Sequence, residues 1–295
     1  MTRFEGCGTA LVTPFSEDGA LDLRALKALV EWQIAEGIDF LVPCGSTGEA
    51  QTMDDHEREQ VVATVVETAA GRVPVMAGAT SNDTRHAVDE TRRMCALGVD
   101  GILTATPYYN KPSQEGLRRH FLAVAEASTR PVCLYNVPSR TGVNLLPATA
   151  LDLATHPNII AIKEASGDLR QIMEILRRRP DGFAVLSGDD WLAFPVATSG
   201  GDGLISVTSN EVPGPMTELV HLARAGDLEG ARRSQYRLLP LMDANFLETN
   251  PTPVKAGLSL LGKVRDGVRL PLVTAGAATR DALRLALAAV GAHVR

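Results

Sequence analysis

Eight short apolar segments recur along this 295-residue chain, and most of the stretches between them carry helical spacing. The apolar segments read CGTALVTPF, IDFLVPCG, VPVMAGAT, DGILTATP, RPVCLYNVP, NIIAIKEA, FAVLSGDD and GLISVTSN. Continuous apolar strands joined by helices are typical of a parallel sheet that is covered by helices. Eight such units in roughly 225 residues favour a (β/α)₈ barrel, the TIM barrel, over the alternative of an open doubly wound sheet.

After Asn210 the strand pattern stops and helical spacing continues almost to the end of the chain. The first of these helical segments closes the barrel, and the later ones are LEGARRSQYRLLPLMDANFL, PVKAGLSLLGK and AATRDALRLALAAVG. Their many Leu and Ala residues indicate packing on the barrel or on a neighbouring subunit. We therefore predict two domains, a barrel over residues 1–225 and a C-terminal helical domain over residues 226–295.

Charge and cysteine content restrict the partners and the compartment. The net charge is −6 with acids and bases interleaved, so neither a nucleic acid nor a membrane surface is expected as a partner, and small molecules are. The first residues lack the pattern of a secretory signal. The four cysteines stand far apart without a CxxC pair, which is typical of buried thiols in a reducing compartment. These features predict a cytoplasmic protein.

Polar segments follow the predicted strands at their carboxyl ends. They are GSTGE, TPYYNKP, YNVPSRTG, KEASGD, SGDD and SVTSN. In a (β/α)₈ barrel this end of the strands carries the active site. The sequence therefore predicts that these six segments meet around one site.

Lys163 ends the sixth predicted strand, directly after an unbroken apolar run. Side chains alternate along a strand, so we expect Lys163 to share a face with Ile159 and Ala161, while Ile160 and Ile162 point the other way. Burial lowers the pKa of a lysine by up to ~3–5 units, which would make its amine a nucleophile for Schiff-base formation. The alternative, commoner for an isolated residue, is a lysine that extends to solvent.

Four further residues are candidates for the same site. Tyr135 lies above Cys133 on strand five and can transfer protons, although a core tyrosine bonded to a carbonyl is the common alternative. Arg140 lies in a Pro-Ser-Arg-Thr-Gly turn and can bind a carboxylate in bidentate fashion, or form a surface ion pair. Ser46 and Thr47 offer hydroxyls between two glycines, suited to a small carboxylate, or they form a plain turn.

Tyr108 and Tyr109 place two aromatic rings on the loop after strand four. Such rings pack on the barrel rim or insert into a partner subunit. Exposed paired tyrosines without a partner are unfavourable, so we favour a subunit interface.

Other chemistries lack their sequence motifs. The six histidines form no HxH or HExxH pattern, which argues against a metal-dependent enzyme. No GxGxxG, P-loop or GxSxG follows a strand. The remaining interpretation is an enzyme that uses its own lysine, with no metal and no cofactor.

The motifs GSTGE, TPYYNKPSQEG, YNVPSRTG, IKEASGD, SGDD, GLISVTSN and NPTPVK together resemble the dihydrodipicolinate synthase family over nearly the whole chain. The GSTGE element and the Schiff-base lysine are shared with related aldolases such as N-acetylneuraminate lyase and 2-keto-3-deoxy-sugar aldolases. YYN and PSRTG discriminate better, because the sugar-acid lyases typically lack the arginine of the second motif.

The resemblance implies that pyruvate forms an imine with Lys163, and that the derived enamine attacks L-aspartate 4-semialdehyde in the diaminopimelate route to lysine. It implies proton transfer by Tyr135, and a proton relay through Ser46 and through Tyr109 of a neighbouring subunit. By the same analogy, Thr47 binds the pyruvate carboxylate and Arg140 binds the semialdehyde carboxylate. Gly188 and the Ile205 carbonyl line the surroundings of the lysine. A homotetramer, a dimer of dimers, is implied as well.

One departure from the family concerns feedback inhibition by lysine. Family members that lysine inhibits carry serine, histidine and glutamate where this chain has Ala50, Asp55, Arg58 and His86, and only Asn82 is kept. We therefore expect lysine to inhibit weakly or not at all. Two alternatives for the function remain open, a sugar-acid aldolase that uses the same Schiff base and a non-catalytic barrel that binds a metabolite.

Overall fold

Within residues 4–294, which the computed structural model describes, eight parallel strands form a nearly closed barrel. Their order is β2-β1-β8-β7-β6-β5-β4-β3. The strands are β1 (Gly6–Ala10), β2 (Phe40–Val42), β3 (Met76–Gly78), β4 (Gly101–Ala105), β5 (Val132–Asn136), β6 (Ile159–Glu164), β7 (Ala184–Ser187) and β8 (Gly203–Ser206). A single parallel bridge between Leu41 and Val75 joins β2 to β3. The predicted (β/α)₈ barrel is confirmed, and the open sheet is excluded.

Helices lie between successive strands and after the last one. In the described part of the chain they are α1 (Leu23–Ala35), α2 (Asp55–Ala69), α3 (Thr84–Ala96), α4 (Gln114–Ala127), α5 (Pro138–Thr141), α6 (Pro147–Leu153), α7 (Leu169–Arg178), α8 (Ala193–Thr198), α9 (Pro213–Ala225), α10 (Leu228–Ala244), α11 (Thr252–Leu260) and α12 (Ala277–Ala289). Aspartate side chains accept hydrogen bonds from backbone N–H groups at several helix starts, as Asp22 does for α1 and Asp168 for α7. Such caps satisfy donors that the first turn leaves free, so the strand-to-helix loops are sharply defined.

The structure has two apolar layers because neither face of the strands is exposed to solvent. One layer fills the barrel, and the other lies between the strands and the helices. Phe4 and Phe40 close the amino-terminal end of the barrel with an edge-to-face contact of 5.5 Å between ring centroids. Polar side chains consequently collect at the opposite, carboxyl end.

The alternation predicted along β6 is partly wrong. Ala161 points into the barrel and Ile162 outward as expected, but Ile159 packs in the outer layer and Ile160 against the inner one. The pairing with β5 skips a residue here, since Val132 pairs with Ile159 but Cys133 with Ala161. This β-bulge inserts one residue and reverses the alternation before it. The face of Lys163 is unaffected because the bulge precedes Ala161.

The C-terminal helices pack on the barrel's last helix and on each other. α10 contacts α9 and α12, and α11 contacts α12. Gly226 ends α9 with a φ of +84°, and Asp227 caps α10. The division of the chain at residue 226 stays a prediction.

A glycine-to-alanine change tests the closeness of β1 and β8. A Cβ at Gly203 would lie 2.1 Å from the Gly6 carbonyl oxygen, a backbone atom that cannot rotate away. We expect Gly203→Ala to lower the free energy of unfolding by about 2 kcal/mol or more, a typical cost of overpacking. Chemical denaturation measures it. Gly267→Ala is the control, since its Cβ would meet nothing closer than 3.9 Å, and equal stability of both variants would contradict the packing described.

Candidate active site

Lys163 and Tyr135 are paired across two adjacent strands at the carboxyl end of the barrel. Tyr135 of β5 lies directly opposite Lys163 of β6 in the strand register. The Lys163 Nζ lies 4.4 Å from the centroid of the Tyr135 ring. Only 5% of the Lys163 surface is exposed and 8% of that of Tyr135. The lysine therefore does not extend into bulk solvent.

Burial changes the protonation of both groups. Loss of solvation lowers the pKa of Lys163 to about 8, opposed by the negative charge of Asp190 and helped by the positive charge of Arg140. Loss of solvation also raises the pKa of Tyr135 to about 12. A pKa near 8 leaves about a tenth of the amine neutral at pH 7, against far less than ~1% for an exposed lysine. The pair thus combines an available nucleophile with a phenol that keeps its proton.

Gly188 leaves the space in which the Lys163 side chain lies. A Cβ at this position would come within 3.0 Å of both Cγ and Cε of Lys163 and within 2.7 Å of the Ala165 Cβ. The Gly188 N–H donates to the Glu164 carbonyl at 2.7 Å, which holds the β7 loop against the end of β6. A side chain at position 188 would displace the lysine from its position beside Tyr135.

A cavity of about 570 Å³ opens above the lysine. Six of the eight predicted site residues line it, namely Lys163, Tyr135, Ser46, Thr47, Arg140 and Gly188. The volume suits small organic substrates. Both acidic and basic side chains line the cavity. The structure thus brings together the segments after β2, β5, β6 and β7.

Ser46 and Thr47 lie in a turn whose backbone bonds are local. The Gly48 N–H donates to the Gly45 carbonyl at 3.1 Å, and Thr13 holds the Gly48 carbonyl at 2.7 Å. Thr47 is buried, and its hydroxyl accepts a hydrogen bond from the Asn250 side chain at 2.9 Å. This leaves the Thr47 hydroxyl proton free to be donated into the cavity.

Arg140 lies at the cavity wall on the short helix α5. Its Nη2 donates to the Asn250 carbonyl at 3.3 Å. Among residues 4–294 no ion pair involves Arg140. Its guanidinium is therefore available to a carboxylate in the cavity.

Two predicted residues lie away from the cavity. Tyr109 is 87% exposed and is not among the residues that line the cavity above Lys163. Ile205 on β8 is fully buried in the layer that fills the barrel. A second cavity of about 310 Å³ adjoins the first, shares Ser46 and Arg140 with it, and is lined by Tyr108.

Sequence reasoning did not select several cavity residues. They are Asp189, Trp191, Asp243, Phe246, Leu247 and Asn250. The SGDD and NPTPVK segments were noted, and these contain Asp189 and Asn250. Asp243, Phe246 and Leu247 follow no strand, and only the folded position of the end of α10 brings them to the cavity.

Within the described residues, no group of three or more His, Cys, Asp or Glu side chains is arranged to hold a metal ion. The described helices also include none with the length and apolar content needed to cross a bilayer.

Comparison with known proteins gives one consistent family. A family model described as the dihydrodipicolinate synthetase family matches residues 3–290. Curated relatives named 4-hydroxy-tetrahydrodipicolinate synthase include that of Koribacter versatilis, 54% identical over 272 residues, which cover 92% of this chain and 91% of the relative. The relative of the same name from Acidobacterium capsulatum is 52% identical over 280 residues, covering 94% and 93%.

Solved structures agree with this family. Dihydrodipicolinate synthase from Thermotoga maritima superposes with a TM-score of 0.96 at 42% identity, covering 98% of this chain and 99% of that one. The chloride-inhibited dihydrodipicolinate synthase from Acinetobacter baumannii, solved in complex with pyruvate, gives a TM-score of 0.97 at 42% identity, covering 99% and 100%.

The lowered pKa of Lys163 predicts how this amine titrates. Its neutral, reactive fraction should rise as the pH rises through about 8, the value to which burial lowers its pKa. Competitive acetylation across a pH series, read by peptide mass spectrometry, measures the midpoint, with the exposed Lys27 as the comparison amine. A midpoint for Lys163 above about 10, the value for solvated lysine, would contradict the burial effect.

Proposed function

This chain belongs to the dihydrodipicolinate synthetase family, and on that premise we propose that it acts as a 4-hydroxy-tetrahydrodipicolinate synthase. The enzyme is a lyase that condenses pyruvate with L-aspartate 4-semialdehyde in lysine and diaminopimelate biosynthesis. One observation carries the proposal for this site: Lys163, buried and with a lowered pKa, lies beside Tyr135 at the bottom of a cavity that Arg140 also lines. The alternative of a sugar-acid aldolase is not favoured, because the relatives found at about 50% identity bear the synthase name.

The first step forms the imine. The neutral Lys163 amine attacks the C2 carbon of pyruvate, and the carbonyl oxygen takes up a proton to give a carbinolamine. Tyr135 donates a proton to the departing hydroxyl, which leaves as water. Because burial raises the pKa of Tyr135 to about 12, the phenol holds its proton until the reaction needs it.

The second step forms the carbon–carbon bond. The Tyr135 phenolate removes a proton from the pyruvate methyl carbon, and the iminium becomes an enamine. This carbon attacks the aldehyde carbon of the second substrate, whose oxygen takes up a proton. The amino group of that substrate then attacks C2, closes the ring and releases the Lys163 amine.

The two carboxylates of the substrates occupy different parts of the cavity. The hydroxyl and the backbone N–H of Thr47 bind that of pyruvate, which places the keto carbon above Lys163. Arg140 binds that of the semialdehyde in bidentate fashion. Gly188 leaves room for the lysine, and Ile205 fills the barrel beneath it. No metal or cofactor takes part.

Ser46 and Tyr109 complete a proton relay that reaches across a subunit interface. Tyr109 is 87% exposed in the single chain and is therefore accessible to a neighbouring copy. The second cavity lies beside Ser46 and offers space for a ring from another copy. We propose a homotetramer, a dimer of dimers, in which each Tyr109 enters the partner's second cavity. The four cysteines are buried free thiols, which supports a cytoplasmic location.

Reductive trapping tests the Schiff base. Borohydride added with pyruvate should leave one N-(1-carboxyethyl) group per chain, mapped to Lys163 by peptide mass spectrometry. Lys163→Met should give no adduct, and Lys27→Met, an exposed lysine, should keep it. Pyruvate with aspartate semialdehyde should turn over, whereas N-acetylmannosamine or glyceraldehyde should not. An unchanged mass would indicate a non-catalytic barrel instead.

A mixing experiment tests whether Tyr109 acts in the neighbouring subunit. Tyr109→Phe and Lys163→Met should each lose most activity, about 10-fold or more for the tyrosine because a proton-transfer group is removed. In a mixed dimer, one site regains both an intact Lys163 and an intact Tyr109 from its partner. Co-refolding equal amounts should therefore restore about one quarter of wild-type activity, if subunits pair at random. No recovery, with mixed dimers verified by mass, would place Tyr109 in its own site or in none.

Lysine should inhibit weakly or not at all. Asp55 is already paired with Arg58, with Arg93 at 2.8 Å and with His86 at 3.5 Å, and Arg58 also contacts Glu90 at 2.9 Å. The Asp55 carboxylate is therefore already engaged by side chains of its own chain, and we do not expect it to bind an added amino acid. Initial rates across a lysine series measure this. Saturable inhibition in the millimolar range, with a clear plateau, would contradict the prediction.

A further inference from the structure

The turn that carries Ser46 and Thr47, residues 45–49, ends in an unusual backbone conformation. Glu49 has a φ of +54°, in the left-handed region that non-glycine residues adopt only at a cost in free energy. Its N–H donates to the Ser46 carbonyl at 3.1 Å, so the conformation of Glu49 and the position of Ser46 are linked. Contacts elsewhere must hold Glu49 in this state.

A buried ion pair supplies those contacts. Glu49 and Lys255 are both almost completely buried, and the Lys255 Nζ lies 2.5 Å from Glu49 Oε1. The other carboxylate oxygen accepts from the Arg269 N–H at 3.0 Å. Lys255 also donates to the Gly267 carbonyl at 2.7 Å, and its Nζ lies 4.2 Å from the centroid of the Phe15 ring. Each charged group therefore has an opposite charge and a backbone group as partners.

The segment just before α11 reaches the turn at a second point. Lys255 lies within α11, and Asn250 lies two residues before that helix begins. The Asn250 side-chain amide donates to the Thr47 hydroxyl at 2.9 Å, and the backbone carbonyl of Asn250 accepts from Arg140 at 3.3 Å. The C-terminal segment thus holds both the middle and the end of the turn.

Stability alone is a weak reason to bury such a pair. The cost of removing two charges from water often exceeds the attraction between them, and apolar residues of similar size can be equally stabilising. An ion pair does, however, fix direction and distance in a way that apolar contacts do not. The Glu49–Lys255 pair can therefore determine the geometry of the turn of residues 45–49.

We infer that Glu49 and Lys255 are positioning residues, which hold the turn of residues 45–49 so that the hydroxyl and the backbone N–H of Thr47 meet the carboxylate of the keto-acid substrate. Neither side chain lines the cavity above Lys163. The inference rests on the proposed function, since it takes pyruvate as the ligand of this turn. It makes the C-terminal helices part of the substrate-binding site.

Charge-removing variants of nearly equal shape test the inference. Glu49→Gln or Lys255→Met alone should destabilise the protein, because each leaves one buried charge unpaired. The double variant should regain most of the wild-type unfolding midpoint, because no unpaired charge remains. Its kcat/KM for pyruvate should nevertheless stay at least about 10-fold below wild type, mainly through a higher KM, because the turn is no longer held. Its acetylation midpoint at Lys163 should be unchanged.

Lys263→Met is the matched control. Lys263 follows α11, and its ammonium lies over the Trp32 ring at 4.0 Å, away from the turn. This variant should keep wild-type kinetics.

Either of two results would overturn the inference. A stable double variant with wild-type kinetics would make the pair dispensable for positioning, and a double variant that does not fold would make it a stabilising element only. Failure of wild-type protein to form the borohydride adduct is a different result, since it would reject the proposed function and not the coupling of the turn to α11.

Discussion

The loss of solvent around one amine is the constraint on which the site depends. Lys163 ends a strand inside the barrel, and burial there lowers its pKa to about 8. A carboxylate in direct contact would pair with the ammonium and keep it charged. The aromatic ring of Tyr135 is the neighbour instead, with its centroid 4.4 Å from the Nζ. The charge of Asp190 raises the pKa of Lys163, but burial lowers it by more. The same burial raises the pKa of Tyr135, so one cause acts on both the proposed nucleophile and the proposed proton donor.

The barrel accounts for this arrangement without a metal or a cofactor in the scheme. Parallel strands in register place Tyr135 and Lys163 side by side, and the absence of a side chain at Gly188 provides the volume that the lysine occupies. The loops above then supply groups of the right charge, with Arg140 on one side and the turn of residues 45–49 on the other. In the proposed reaction the strands thus position the reacting groups, and the loops bind the carboxylates of the substrates.

Much of this could be predicted from the sequence because it depends on local patterns. Apolar strands that alternate with helices predicted the barrel, and strand alternation predicted that Tyr135 and Lys163 meet. The same alternation was wrong for Ile159, because a β-bulge depends on the pairing with β5 and leaves no pattern in β6 alone. Asp243 and Phe246 were missed because a helix far along the chain brings them to the cavity. Tyr109 stays a prediction, since its role depends on a second copy of the chain.

A crystal structure of the protein soaked in pyruvate would show whether Lys163 bonds covalently to the keto acid. We expect continuous electron density from the Lys163 Nζ to C2 of the keto acid, with the carboxylate at Thr47 and the Tyr135 hydroxyl within hydrogen-bond distance of the new bond. An Nζ that points into bulk solvent, unmodified and remote from the phenol, would contradict this expectation.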